Sequence, residues 1–364
     1  MADYSSSNEN NSTYDETVEN EYNDSNSSGN KEDNKDYQSN NNDNIIDVDN
    51  DFGGDLKAAI ASANNGDTVQ IGGSTYYTNG LVIDKDITID GQQGSTIDGG
   101  GTSESVLKLT SQASGATIQD LKVTNGNNGI FGNGATNVTL ENLEVSNIGL
   151  NQTKRQGLNN TGVILNNADG STFKNSKIYD VGRKGVGIGD TDGAVISNLK
   201  VQNVNLAAQH SQSHDASGIK LYNTNNVEIK NNYLSDVNAF GIWNDTTNGT
   251  KIEGNEVSNV GEDFLAPGFN QNVNIAGIYN EKSSNSTVKY NKGTAVDDFL
   301  VFKATDFSTK TMDFGENDFP SYELGTTDYW VNKEAEKQIA TTENPNDANF
   351  GLFSDQYYGQ ANIG

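Results

Sequence analysis

A strand–turn–strand phrase recurs from about residue 87 to residue 290 and constrains the fold more than any other feature. Copies read VTLENLEV (138–145), STFKNSKI (171–178), AVISNLKV (194–201), VEIKNNYL (227–234), TKIEGNEV (250–257) and STVKYNKG (286–293). The aligned apolar positions are Ile89, Ile118, Leu140, Phe173, Ile196, Ile229, Ile252 and Val288, spaced by 29, 22, 33, 23, 33, 23 and 36 residues. Repeats of this length mean one structural unit stacked on the next. The unit is made of short strands, so the stack is predicted to be a β-solenoid. In each copy Ile or Leu points inward and Asn marks a bend. Asn142, Asn175, Asn198 and Asn231 are predicted to stack in register, because Asn tolerates left-handed backbone and can hydrogen-bond along a ladder. A strand led by Gly follows, as in NGIFGN (128–133), TGVILN (161–166), KGVGIG (184–189), SGIKLY (217–222), FGIWND (240–245) and AGIYNE (276–281).

The chain's 364 residues suffice for a sizeable solenoid core plus a tail. A hydrophobic content of 32% suits a thin stack of Ile, Val and Leu, and 39 glycines with 3 prolines suit many tight turns. There is no cysteine, which excludes disulfides, thiol catalysis and cysteine metal sites. No run of about 18 apolar residues predicts a transmembrane helix. The start MADYSSSNENN has neither the basic nor the apolar region of a classical signal peptide. The net charge of −27 argues against nucleic acid and anionic membranes as partners.

Residues 1–50 hold 13 acids and 2 lysines, a net of −11, leaving −16 for the rest. Residues 1–44 are predicted to form a disordered, acidic, Asn/Ser-rich tail, since they carry too little apolar surface to offset chain entropy. Order is expected from residue 45. DLKAAIASANNGDTVQI (55–71) reads as a short amphipathic helix, a turn and a strand, with Leu56, Ala59, Ile60 and Ala63 on one face. Such a helix would cap the open end of the solenoid. The β-helix is expected to span 45–304. Beyond it the rhythm fails, and the aromatic-rich 305–364 is expected to fold back as a C-terminal cap.

The capping helix followed by GDTVQI (66–71) and LVIDKDITIDGQQGSTIDGG (81–100) resembles the opening of right-handed parallel β-helix proteins of the pectin-lyase-like superfamily, over roughly residues 52–305. The resemblance implies an all-β fold, a single-stranded right-handed parallel β-helix with N- and C-terminal caps. It does not imply one activity, because the superfamily contains lyases, hydrolases, epimerases, phage tailspikes and adhesins. The clustered aspartates, Gly-His-Gly and Arg-x-Lys of polygalacturonase-like hydrolases are absent, and DASGIK (215–220) lacks their His and Arg. The Asp-Pro-His of mannuronan epimerases is absent too, with HSQSHD (210–215) a distant echo.

Coil length carries the functional clue. The extra residues of the long coils fall at one corner, just before a Gly-led strand: IGLNQTKRQGLNN (148–160), VNLAAQHSQSHDAS (204–217) and VGEDFLAPGFNQNVNIA (260–276). Successive coils rise by roughly 4.8 Å, so these loops would project about 10 Å apart, with short coils as the floor between them. Rare residues gather there: both arginines, Arg155 and Arg183, both histidines, His210 and His214, and Lys154, Lys184 and Lys220. Alternation predicts that Phe131, Ile164, Gly187, Lys220, Trp243, Tyr279 and Val301 face outward, followed two residues later by Asn133, Asn166, Gly189, Tyr222, Asp245, Glu281 and Lys303. Tyr222, Trp243 and Tyr279 are candidates to stack against sugar rings, or else pack beneath the 260–276 loop.

A basic, aromatic groove points to an acidic polysaccharide, cleaved by β-elimination. Lys220 is the expected base or charge stabiliser, His214 the competing base, and Asp215 its orienting partner. Arg183 or Arg155 would hold the uronate carboxylate, with Lys184 and His210 as further contacts. The alternative is a non-catalytic carbohydrate-binding, adhesin or phage-type solenoid. A hydrolase or an epimerase is a minor reading, for which Asp190, Asp192, Asp215, Asp236, Asp245 and Asp263 could supply a carboxylate pair. No cofactor is implied with certainty. Calcium is possible, and DVDNDFGGD (47–55) faintly resembles a calcium loop, but Phe52 and Ala58 stand where such a loop needs Gly and Glu. The expected location is extracellular or at the cell surface.

Overall fold

From Thr68 to Lys303 the described strands visit three sheets in the same order, coil after coil. The structure, a computed structural model, describes residues 44–92, 94–101, 104–150, 160–204, 216–260, 276–296, 300–303, 313–315 and 329–331. The expected tail 1–44 falls outside these apart from its last residue. Among the described residues sheet A has 11 strands, sheet B 9 and sheet C 10, and neighbouring strands pair in parallel. One coil runs through Thr139–Glu141 in sheet A, Glu144–Ile148 in sheet B and Thr161–Asn166 in sheet C before returning to sheet A at Thr172–Lys174. This is a parallel β-helix.

The apolar positions aligned in the sequence form one inward column of sheet A. Ile89 pairs with Ile118, then Leu140, Phe173, Ile196, Ile229, Ile252 and Val288 follow in register. All are buried, which stabilises each by about 1.5–3 kcal/mol relative to exposure. A one-residue slip would turn the whole column to solvent, so the register is strongly specified.

The A–B bend needs one residue in the left-handed region per coil. Asn142, Asn175, Asn198 and Asn231 hold φ of 52–56° there. The side-chain amide of Asn198 donates to Asn175 Oδ1 at 3.1 Å, that of Asn175 to Glu141 at 3.1 Å, and that of Asn142 to Asp120 at 3.1 Å. A second ladder, which the sequence analysis did not identify, runs one residue later inside the core. Asn232 Nδ2 donates to Asn255 Oδ1 and Asn255 Nδ2 to Asn291 Oδ1, both at 2.9 Å.

Two short helices lie at the N-terminal end. The helix α1 (Val48–Phe52) was not anticipated, and α2 (Leu56–Ser62) was. Asp47 caps α1 by accepting from the backbone of Asp49 and Asn50, and Asp55 caps α2 by accepting from Ala58 N. Leu56, Ala59, Ile60 and Ala63 are buried against the first coils. Lys85 closes the far end of α2, donating from Nζ to the carbonyls of Ile60, Ala61 and Ala63 at 3.0, 2.8 and 2.7 Å. At the other end, strands Asp313–Gly315 and Tyr329–Val331 extend sheets A and C within the stretch expected as the C-terminal cap. The remainder of 305–364 lies outside the described residues.

Candidate functional site on sheet C

The corner between sheets B and C alternates as the coil lengths require. Lys177–Val181 is joined to Lys184–Gly189 by two residues, Gly182 and Arg183, and Tyr233–Val237 is joined to Phe240–Asn248 by Asn238 and Ala239. The flanking coils carry the insertions 149–160, 205–216 and 261–275 at this same corner. Most of each insertion lies outside the described residues, and with it Lys154, Arg155, His210, His214, Asp215 and Asp263.

The strand entering sheet C begins with glycine for a steric reason. A Cβ on Gly129, Gly162, Gly185, Gly218 or Gly241 would lie 2.5–2.7 Å from the carbonyl oxygen of the glycine on the next coil. Beyond this ladder the outward columns fall in the expected register. Phe131, Ile164, Gly187, Lys220, Trp243, Tyr279 and Val301 are successive Cα partners. So are Asn133, Asn166, Gly189, Tyr222, Asp245, Glu281 and Lys303.

On this face a cleft of about 300 Å³ is lined by Thr161, Ile164, Asn166, Lys184, Gly187, Ile188, Gly189, Asp190, Lys220 and Tyr222. Lys184 is buried, 6% exposed, at the start of its strand. Lys220 lies one coil beyond Gly187. Its Nζ sits 3.4 Å from the centre of the Trp243 ring, 6.0 Å from that of Tyr222, and 3.6 Å from Asp245 Oδ2. Aromatic faces and carboxylates both attract a cation, so this environment orients the Lys220 side chain. Asp245 is itself bonded by Thr246 Oγ1 at 2.8 Å, and Asp190, at the rim, accepts from Asn223 at 2.6 Å. Arg183 is partly buried at the short corner beside Lys184.

The three aromatic candidates divide. Tyr222 is 52% exposed at the cleft, whereas Trp243 and Tyr279 are 7% and 3% exposed. The latter two form a cluster with Phe240, at centroid distances of 4.8 Å (Phe240–Trp243), 4.7 Å (Phe240–Tyr279) and 5.9 Å (Trp243–Tyr279), enclosed with Ala216, Ala239 and Ala276. They are therefore not open platforms for sugar rings. Phe240, directly after the corner, supplies the third ring, and the outward alternation alone did not reveal it.

A wider depression of about 830 Å³ lies at the A–B corner of the early coils, lined in part by Asp90, Asp120, Lys122, Asn142 and Glu144. Its lysine is held by Glu144 at 2.8 Å, so it presents mainly carboxylates, and the smaller cleft on sheet C is the better anion site. The calcium-like acids of 47–55 do not fit a metal. Asp47 and Asp55 are helix caps and Asp49 accepts from Tyr76 Oη at 2.8 Å; burial, and then this bond, pushes the Tyr76 phenol up to about 12. Among the described residues no group of three or more His, Cys, Asp or Glu is placed to hold a metal ion, and no helix is long and apolar enough to cross a membrane.

The family model of the right-handed beta helix region matches residues 161–297, the coils that carry this cleft. Among solved structures, the chain is similar to an alginate lyase from Paenibacillus sp. str. FPU-7, with 17% identity, 79% of this chain and 99% of that one covered, and a TM-score of 0.60. It is also similar to the catalytic domain of a GH87 alpha-1,3-glucanase in complex with tetrasaccharides, with 16% identity, 77% and 59% covered, and a TM-score of 0.51. No curated protein sequence matches it. Identity this low speaks for the fold alone. The chain is a right-handed parallel β-helix protein.

Proposed function

We propose that the cleft on sheet C binds a uronate-containing polysaccharide and cleaves it by β-elimination. The observation that carries this reading is the convergence of Lys184 and Lys220 on one cleft of a chain with net charge −27. In such a surround, two lysines lining one cavity favour an anionic ligand. The shared fold with an alginate lyase is compatible with it.

In this reading Lys184, with Arg183 beside it and Arg155 on the adjoining loop, receives the uronate carboxylate. Lys220 neutralises the charge that grows on that carboxylate as the neighbouring carbon loses its proton. Lys220 is placed to serve as stabiliser, because Asp245 and the Trp243 face hold its side chain in position. The proton passes to a base, for which the exposed phenol of Tyr222 and the loop residue His214, oriented by Asp215, are the candidates. The electron pair of the broken C–H bond forms the C=C bond, the glycosidic C–O bond breaks, and the leaving oxygen takes up a proton. His210 extends the binding surface along the loop. A polymeric substrate places the activity outside the cell or on its surface.

Incubation with a panel of polyuronates, followed by ultraviolet absorbance of the unsaturated product and by new reducing ends, tests the proposal. The expected result is unsaturated ends from at least one polymer, abolished in Lys220→Ala. Polymer retained with no product would make the protein a binding solenoid, and reducing ends without unsaturation would make it a hydrolase.

A further inference from the structure

Two kinds of glycine occupy the strand Lys184–Gly189. Gly185 belongs to the ladder in which a Cβ would strike the next carbonyl, at 2.5 Å. Gly187 is different. Among the described residues a Cβ there would have a single neighbour within 4 Å, Thr161 Cγ2 at 4.0 Å, and its φ is not in the left-handed region. At Gly189 the one close neighbour would be Asn166 Oδ1 at 2.6 Å, the movable end of a side chain. Glycine inside a strand is destabilising by roughly 0.5–1 kcal/mol relative to Ala. Packing among the described residues gives no reason for glycine at 187, and glycine in a strand is often found where a ligand or another backbone approaches closely.

The two glycines are the outward positions of one coil, so that coil presents bare backbone. The coils on either side present Ile164 and Asn166, and Lys220 and Tyr222. With coils about 4.8 Å apart, the flanking side chains stand about 10 Å apart across the bare strand. We infer that Gly187 and Gly189 form a slot for a single uronate ring of the polysaccharide. The ring would lie flat on the strand, its carboxylate toward Lys184 and Lys220, between walls made by Ile164 and Tyr222. The slot admits a ring with an unsubstituted inner face and excludes one that carries an acetyl group there. This inference rests on the polysaccharide reading and narrows it.

The test is the series Gly187→Ala, Gly187→Val and Gly187→Leu, read by thermal midpoint and by affinity and turnover on a polyuronate and its acetylated form. Because the site has room and a β-branched residue suits a strand, the midpoint should hold or rise along the series. Affinity should fall in steps, by about tenfold or more for Leu. Gly185→Ala, by contrast, should lower the midpoint. Affinity within about twofold of wild type in Gly187→Leu overturns the slot while leaving polymer cleavage standing. A fall in midpoint for Gly187→Ala also overturns it, since the residue would then be needed for the fold. If the wild type neither binds nor cleaves any polyuronate, the underlying reading fails. The uronate slot is then overturned with it, and a neutral glycan bound by the wild type but lost in Gly187→Leu would show a ring slot of a different substrate class.

Discussion

The early and late coils fill the inside of the same bend with different chemistry. In the early coils the residue after the left-handed position is Leu121, Leu143, then Ser176 and Leu199, and in the late coils it is Asn232, Asn255 and Asn291. Sheet C changes in parallel, its inward column passing from Leu165, Ile188 and Leu221 to Asn244 and Asn280. Aliphatic side chains hold a bend by filling volume and tolerate exchange for others of like size. Buried amides hold it by pairing, and each depends on the coils above and below. The late coils should therefore be the more specific and the less forgiving half.

The largest effect is expected at the centre of the amide ladder. Asn255 donates from Nδ2 to Ile229 O at 3.0 Å and to Asn291 Oδ1 at 2.9 Å, while its Oδ1 accepts from Asn232 N at 3.0 Å and Asn232 Nδ2 at 2.9 Å. Asn255→Leu leaves several of these buried groups unpaired, at about 1–3 kcal/mol each, so a loss of about 4 kcal/mol is expected in denaturant unfolding. Leu143→Met, at the equivalent early position, should lose less than about 1.5 kcal/mol. Equal losses at both sites would mean that the two halves differ in composition and not in how they are held.

A smaller loss is expected on sheet C. Asn280 Oδ1 accepts from Asn244 Nδ2 at 3.0 Å, but Asn280 Nδ2 is buried with no partner. Asn280→Leu removes that unpaired donor as well as the acceptor, so the two changes partly offset. A loss of about 1–2 kcal/mol is expected by the same measurement. A loss as large as that of Asn255→Leu would show that the unpaired amide is bonded in solution.

These contrasts also explain what could be read in advance. The register of sheet A was legible because Ile89 through Val288 repeat an apolar residue at a fixed place in a phrase, and a period-2 strand leaves no alternative pairing. The outward columns on sheet C followed from the same alternation. The internal ladder was not legible, because Asn231 and Asn232 are adjacent and identical, and only the path of the bend decides which amide turns inward. The burial of Trp243 and Tyr279 was left open for a related reason: alternation tells which side of a sheet a residue takes, and not what covers that side. Helix α1 was missed because DVDNDF is polar along its length. Its helicity comes from the Asp47 cap and the single buried Val48 rather than from an apolar stripe.

The cap provides the next contrast. Lys85 satisfies three carbonyls at the end of α2 with one ammonium, a charge-assisted arrangement worth more than neutral bonds. Lys85→Met keeps the length and removes the donors. A loss of about 1–2 kcal/mol is expected, together with faster amide exchange in α2 and unchanged exchange around Asn255. Exchange that quickened throughout would mean that the cap and the late coils unfold as one unit.

The smallest expected effect concerns acid. Glu144 on the early coils is held below its ordinary 4.5 first by the hydrogen bond from Lys122, at 2.8 Å, and then by that from Tyr179 Oη, at 2.6 Å. Glu228 on the late coils is held below 4.5 by Lys230 at 2.7 Å and then by Lys251 at 3.1 Å. A carboxylate with a depressed folded-state pKa contributes stability that is fully present above its unfolded value. That contribution is lost as pH falls below about 4.5 and through the folded value. Both groups are partly exposed, so screening keeps the contribution small, and added salt should reduce it further. Glu144→Gln and Glu228→Gln should each flatten the fall in stability between pH 5 and pH 3 slightly and to a similar extent. The deficit of Asn255→Leu should meanwhile stay constant across that range, because no group in its ladder titrates there. If that deficit instead changes with pH, the late-coil ladder is coupled to the surface carboxylates, and the division between the two halves cannot be assigned to core amides alone.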